Sequence, residues 1–244
     1  MDLARLSIDD PRMYSVADLG QHNRRRWRSM ATLEEGTLVA DMFAAHFDVF
    51  GEARYATHLV TSQFSHSVLG RAVASFVQKG RVWDPHESNL FVRTNQEWGF
   101  DWVGVDDSLV RVLPGDPRLG TGLDKRQVRE LPGEAEMAYW LAGRAVSALR
   151  PVFELLAEVS LCRPAQMWAT AARESAYTAL RTARFVETSR DVADRRVQFL
   201  LDGLEVCKIP VRGIRPLPCS LMESGQGGEG CERPKGPRRG PRRD

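Results

Sequence analysis

The stretch Val60-Thr61-Ser62-Gln63-Phe64-Ser65-His66-Ser67-Val68-Leu69-Gly70-Arg71-Ala72-Val73-Ala74-Ser75-Phe76 decides how this chain folds. Its apolar residues Val60, Phe64, Val68, Ala72 and Phe76 recur every four positions. That spacing keeps one broad face of a helix apolar and predicts a long helix running from near Glu52 toward Gly80. Upstream, Leu38, Val39, Met42, Phe43, Ala45 and Phe47 predict an amphipathic helix within Leu33 to Phe50 that ends at Gly51.

Downstream of Gly80 the period shortens. Leu90-Phe91-Val92-Arg93, Phe100-Asp101-Trp102-Val103 and Leu109-Val110-Arg111-Val112 are β-like runs separated by Asn95, Gly99 and Asp106-Asp107-Ser108. They predict a small antiparallel meander between residues 89 and 113, followed by a loop from Pro114 through Gly122. Helical patterning returns near Gly133 with Met137, Trp140, Leu141, Ala145 and Leu149, where Pro151 is expected to kink or restart the helix. Pro164 suits the first position of another helix. Ser189 suits the N-cap of a last one that ends near Val206. The fold class read from these signals is α+β, mostly α-helical: a helical bundle with an inserted antiparallel β-meander and an irregular C-terminal tail. Three segments follow: 1–30, loosely ordered and carrying the basic knot Arg24-Arg25-Arg26-Trp27-Arg28; 31–207, an α-rich domain; and 208–244, a Cys-containing, Pro/Gly/Arg-rich tail.

The 244 residues are 43% hydrophobic and carry a formal charge of +2, ordinary values for a globular chain with a core of its own. The charge is unevenly placed. From Lys208 onward there are nine Lys/Arg against four Asp/Glu, and before it 25 against 28, so a mildly acidic body carries a basic tail. No run approaches the roughly 18 apolar residues of a membrane span, and the opening residues lack an apolar leader core, so the expectation is a cytoplasmic protein. Four cysteines do not make a disulfide framework in a chain of this size.

Cys219 and Cys231 stand in a loop rich in small residues, Ser224, Gly225, Gly227, Gly228 and Gly230, where backbone can wrap closely round a ligand. The pattern points to a metal-site loop; exposed thiols on a tail, or a disulfide worth about 3 kcal/mol in the chain-entropy model, are the open alternatives. Cys162 reads as a small buried hydrophobe. The histidines His22, His46, His58, His66 and His86 show no metal-ligand spacing. His58 and His66, about 80° apart on the helical wheel, are candidates to face a substrate cavity with Ser62 and Arg71. Trp98 and Trp102 bracket a turn and are candidates for one wall of a cleft. Asp106-Asp107 and Glu34-Glu35 read as turn and capping residues. The Arg-rich ending lacks the aromatics of a nucleic-acid arm, so nucleic acid is not an expected partner.

The blocks Ser62-Gln63-Phe64-Ser65-His66-Ser67-Val68-Leu69-Gly70-Arg71, Asn89-Leu90-Phe91-Val92-Arg93, Leu141-Ala142-Gly143-Arg144-Ala145 and Gln166-Met167-Trp168-Ala169-Thr170-Ala171-Ala172, together with the C-terminal cysteines, resemble the FhuF-like ferric siderophore reductases and the C-terminal domain of aerobactin-type synthetases. The likeness covers about residues 50 to 235. It implies a role in iron acquisition or homeostasis, with one-electron reduction of chelated Fe(III) on a [2Fe-2S] cluster, or, in a cluster-less member, binding of an iron chelate or pathway intermediate without redox chemistry. The family's Cys-Cys-x10-Cys-x2-Cys motif falls here on Cys219, Ser220, Cys231 and Pro234. The resemblance therefore carries over two ligand positions, Cys219 and Cys231. A [2Fe-2S] cluster takes four protein ligands, and completion by Ser220, by Cys207 or by a second copy of the chain stays open. The implied partners are a ferric siderophore or related chelate, an electron donor that the sequence does not identify, and a second copy in a homodimer.

Overall fold

Gly51 and Gly80, with φ of 68° and 62°, close the two helices that the apolar spacing predicts. The computed structural model describes residues 13–20, 26–120, 128–183, 189–207 and 209. Helix α1 spans Leu38–Phe50. The long helix is one rod in three parts: α2 (Ala53–Ser65), a π turn (His66–Gly70) and α3 (Arg71–Lys79). Gly80 is required twice over. Its backbone is left-handed, and a Cβ there would lie 2.5 Å from Leu113 Cδ1 and 2.8 Å from Arg196 Nη2.

Val60, Phe64, Val68, Ala72 and Phe76 are all fully buried, in a rod whose residues from Ser67 to Val77 are buried on every side. Each four-residue step drifts about 40° round a helix of 3.6 residues per turn, so the five residues would spread over about 160°. The π turn accommodates one extra residue and takes back about 100° of that drift.

The other helices are α4 (Glu134–Ser160), α5 (Pro164–Ala183) and α6 (Arg190–Val206). Helix α4 lies along α6, α2 and α3 pack on α5, and α1 bridges α2 and α4. Phe64, Phe76, Leu141, Leu149, Phe153, Leu200 and Leu204 fill the space between them. Buried hydroxyls at the α2–α5 seam are satisfied inside their own helices: Thr57, Thr61 and Ser175 each donate to the carbonyl four residues back at 2.7 Å. Pro164 takes the first position of α5 as expected. Ser189 caps α6 through its carbonyl, which accepts from Val192 and Ala193, while its side chain makes no cap bond. Pro151 lies inside α4 without restarting it; its missing N–H leaves the Ser147 carbonyl without its helical i+4 donor.

Short strands complete the α+β fold: β1 (Ala17–Asp18), β2 (Arg28–Ser29), β3 (Arg81–Val82), β4 (Leu90–Thr94), β5 (Phe100–Val105), β6 (Val110–Val112) and β7 (Val128–Glu130). Strands β4 and β5 form the expected antiparallel hairpin, with a register shift at Arg93/Thr94. Its turn is built on Asn95 Oδ1, which accepts from the amides of Glu97 at 2.9 Å and Gly99 at 2.8 Å. The third run does not continue the ladder. Strand β6 pairs antiparallel with β3 and parallel with β7 in a second sheet. The Asn89 side chain sets this departure: its Oδ1 accepts from Asp106 at 3.1 Å and Asp107 at 2.7 Å, turning the chain away from the hairpin. Asp107 in turn accepts from Leu109 N at 3.0 Å, the turn role its sequence suggests.

The described part of the first 30 residues is packed, contrary to the loose segment expected. Tyr14, Ser15, Val16, Ala17 and Leu19 are buried. Strand β1 joins β5 in parallel and β2 joins β4 antiparallel, giving the first sheet the order β1-β5-β4-β2. The long helix holds this segment from the other side. His66 Nε2 lies 2.9 Å from the Met13 carbonyl, and the Arg71 guanidinium donates to the Ser15 carbonyl. Burial and the neighbouring Arg71 charge lower the His66 pKa, favouring the neutral ring.

Glu134, in the first turn of α4, accepts from Arg195 Nε at 2.7 Å and Arg196 Nε at 2.9 Å on α6. Burial alone would raise its pKa, but hydrogen bonds from the two arginines outweigh it and hold the carboxyl below the ordinary glutamate value. A lowered folded-state pKa contributes stability above the unfolded-state value, and that contribution is lost as the pH falls through the folded-state value. Glu134→Gln is therefore expected to destabilise the protein by about 1.5–3 kcal/mol near neutrality, with the deficit closing below about pH 4. Urea titrations of both proteins across pH 3 to 7 measure this, and a deficit constant with pH would contradict it.

Candidate functional site

Helices α2 and α5 begin at the same end of the bundle, and a cavity of about 380 Å³ opens between their first turns. Its floor is Thr57, Thr61 and Met167, all buried. The Thr57 hydroxyl donates to the Ala53 carbonyl at 2.7 Å and lies 3.5 Å from the Cys162 sulfur. Arg54 and His58 stand on the α2 wall four residues apart and therefore on the same side. The α5 wall offers Gln166, Thr170 and Arg173.

Arg173 is held by uncharged groups. Its Nε donates to the Ala169 carbonyl at 3.3 Å and its Nη2 to Thr170 Oγ1 at 3.5 Å, while Thr170 lies 3.5 Å from His58 Nδ1. These are long contacts, so the guanidinium keeps donor capacity for a ligand. Glu52, at the start of α2, is the acidic residue in the lining. Two arginines, a histidine, the Thr170 hydroxyl and the positive ends of two helix dipoles make this a place for an anion with several oxygen acceptors.

The residues singled out in the sequence are distributed differently from the expectation. His58 lines the cavity, but His66 and Arg71 face the N-terminal segment, and Ser62 donates to Glu174 at 3.3 Å. Trp98 packs on the main core, whereas Trp102 joins Ala17, Leu19, Trp27 and Phe91 in a separate small cluster, so the two do not form one wall. Cys162 is half-buried and lines the cavity, a role its sequence gave no sign of. His46 pairs with Gln63 at 3.0 Å. His22, Cys219, Ser220, Cys231 and Pro234 lie outside the described residues.

A second polar cluster lies round Asp84. Arg144 grips its carboxylate at 2.9 and 2.7 Å, and Arg111 donates to it at 3.3 Å while stacking on Trp140 at 4.2 Å. Next to it, Ser147 Oγ donates to Glu87 at 2.9 Å and lies 3.3 Å from His86 Nε2, whereas His86 Nδ1 meets Ser88 Oγ at 2.8 Å. A nucleophilic serine needs its carboxylate on the far nitrogen of the imidazole. Here the carboxylate is on the serine side, and the cluster fastens the 84–89 loop to α4.

The donor chemistry for a four-thiolate cluster is incomplete in this chain, since Pro234 has no side-chain donor and Ser220 offers only an oxygen. Cys207 packs against the core, and burial pushes its thiol pKa up, which disfavours the thiolate a metal binds. Among the described residues no group of three or more His, Cys, Asp and Glu is placed to hold a metal ion, and no helix is long and apolar enough to cross a membrane. Comparison with protein-family models, curated proteins and solved structures found no match.

Proposed function

We propose that the α2–α5 cavity binds an anionic, oxygen-rich chelate of ferric iron, the substrate class implied by the resemblance to ferric siderophore reductases. The observation that carries the reading is the placement of Arg54 and Arg173 on opposite walls of one cavity, with His58 and Thr170 beside them. Hard oxygen ligands round Fe(III) present the acceptors that such groups recognise. The last block of the resemblance supports it further, because Gln166, Met167, Ala169 and Thr170 all line the cavity.

Binding needs no cluster. One-electron reduction of the bound Fe(III) would need one, and would call on Cys219 and Cys231, further ligands to complete the set of four, and an electron donor. The proposal places the protein in the cytoplasm, where its cysteines stay reduced. Calorimetric titration with a ferric tricatecholate and with ferric citrate, both anionic, tests the binding reading. Arg173→Gln is expected to weaken the tighter of the two about tenfold, the loss of one charged hydrogen-bonding partner. Absence of binding to either chelate, or an Arg173→Gln protein that binds as the parent does, would overturn it. Iron and acid-labile sulfide in anaerobically purified protein test the redox addition separately.

A further inference from the structure

We infer that His58 takes up a proton when an anion enters the cavity between Arg54 and Arg173, so that the site holds its ligand more tightly as the pH falls from about 8 toward about 5.5. The inference rests on the reading of the cavity as an anionic chelate site and deepens it by making binding proton-linked.

The geometry is a chain of three side chains across the seam between α2 and α5. Arg173 Nη2 donates to Thr170 Oγ1 at 3.5 Å, and the same oxygen lies 3.5 Å from His58 Nδ1. A guanidinium only donates, and a hydroxyl carries a single hydrogen beside its two acceptor positions. Thr170, having accepted from Arg173, turns that hydrogen to Nδ1, which is then the bare nitrogen of a neutral ring. Protonation reverses the bond. His58 Nδ1–H donates to Thr170, and the hydroxyl hydrogen is released toward the cavity. One proton therefore adds both a positive charge and a donor to the same site.

The groups that share the cavity with His58 are Glu52, Arg54 and Tyr55 from the start of α2, Cys162 from the step between α4 and α5, and Arg173 from α5. Arg54 stands one helical turn before His58 on the same wall. A multiply charged anion outweighs the two guanidiniums, and its surplus negative charge draws the proton to the ring. Among these residue types, histidine is the one that ordinarily changes charge between about pH 5 and 8. Affinity is thus expected to be full below the histidine range and to fall as the pH rises through it.

The test is calorimetric titration of the full chain with tris(oxalato)chromate(III), an exchange-inert trianionic analogue of a ferric chelate that has no titrating group of its own in this range. Affinity is expected to be about tenfold higher at about pH 5.5 than at about pH 8. Near neutrality, heats measured in two buffers of different ionisation enthalpy should show uptake of about half a proton or more per ligand bound. His58 is exposed, so His58→Gln leaves the packing intact; it should reduce the pH ratio to within about twofold and abolish the proton uptake. Cys162→Ser removes the lining thiol and should keep the pH dependence. Equal affinity at the two pH values overturns the inference while the chelate reading stands. A dependence that survives in His58→Gln, or disappears in Cys162→Ser, assigns the proton to another group and also overturns it. Binding at neither pH overturns both readings.

Discussion

Replacing Asp84 with alanine should lower the unfolding free energy by about 3 to 5 kcal/mol, the usual cost of removing one partner of a buried ion pair. Asp84 is 6% exposed and Arg111 8%, so neither can turn to water when the other is lost. Burial already lowers the Arg111 pKa, and Asp84 is the leading group opposing that shift. Arg144 is better placed, because more of its side chain is exposed, and it regains solvent in the variant. The carboxylate also ties three separated parts of the chain: the loop after β3, strand β6 and helix α4. Asp84→Asn keeps the shape and part of the hydrogen bonding and should fall between the parent and Asp84→Ala. Urea unfolding should show a lower midpoint at unchanged slope. A loss below about 1 kcal/mol would mean that the site relaxes or hydrates, and that the pairing is not the buried fastening described above.

Phe64→Ala should cost about 3 to 5 kcal/mol by leaving a cavity in the core. Phe64 is fully buried, and its ring meets Phe100 edge to face at 4.8 Å. It therefore joins the long helix to the β4–β5 hairpin, and the loss should be visible in near-ultraviolet circular dichroism as well as in stability. Phe64→Leu should recover most of the difference, since it refills much of the volume. A Phe64→Ala protein as stable as one altered on the surface would rule out this packing.

The helices were legible because their signals are local. Four-residue apolar spacing, Gly51, Gly80 and Pro164 each act within a few residues of where they stand. What the sequence hid is held by distance. β1, β2 and β3 contribute two residues each to their ladders, too few for an alternating pattern to show. Asp84 meets partners 27 and 60 positions away, and Thr57 meets Cys162 at 105; no spacing rule connects such pairs. The site was half visible for the same reason. His58 attracted notice by its type, whereas Arg54, Arg173 and Cys162 become a site only when α2 and α5 are laid side by side. The resemblance pointed to Cys219 and Cys231, which lie outside the described residues.

The π turn has a consequence for how this rod tolerates changes in length. Because His66–Gly70 already holds one residue more than a regular turn needs, deleting a single residue there would leave an unbroken α-helix with Phe64 and Phe76 still pointing the same way. The same deletion within Arg71–Lys79 would swing everything beyond it by about 100°. The turn is thus a slack link, and what depends on its slack is the grip of His66 and Arg71 on the N-terminal segment. Shortening would spare the hydrophobic interior and release the strand that the rod holds in place.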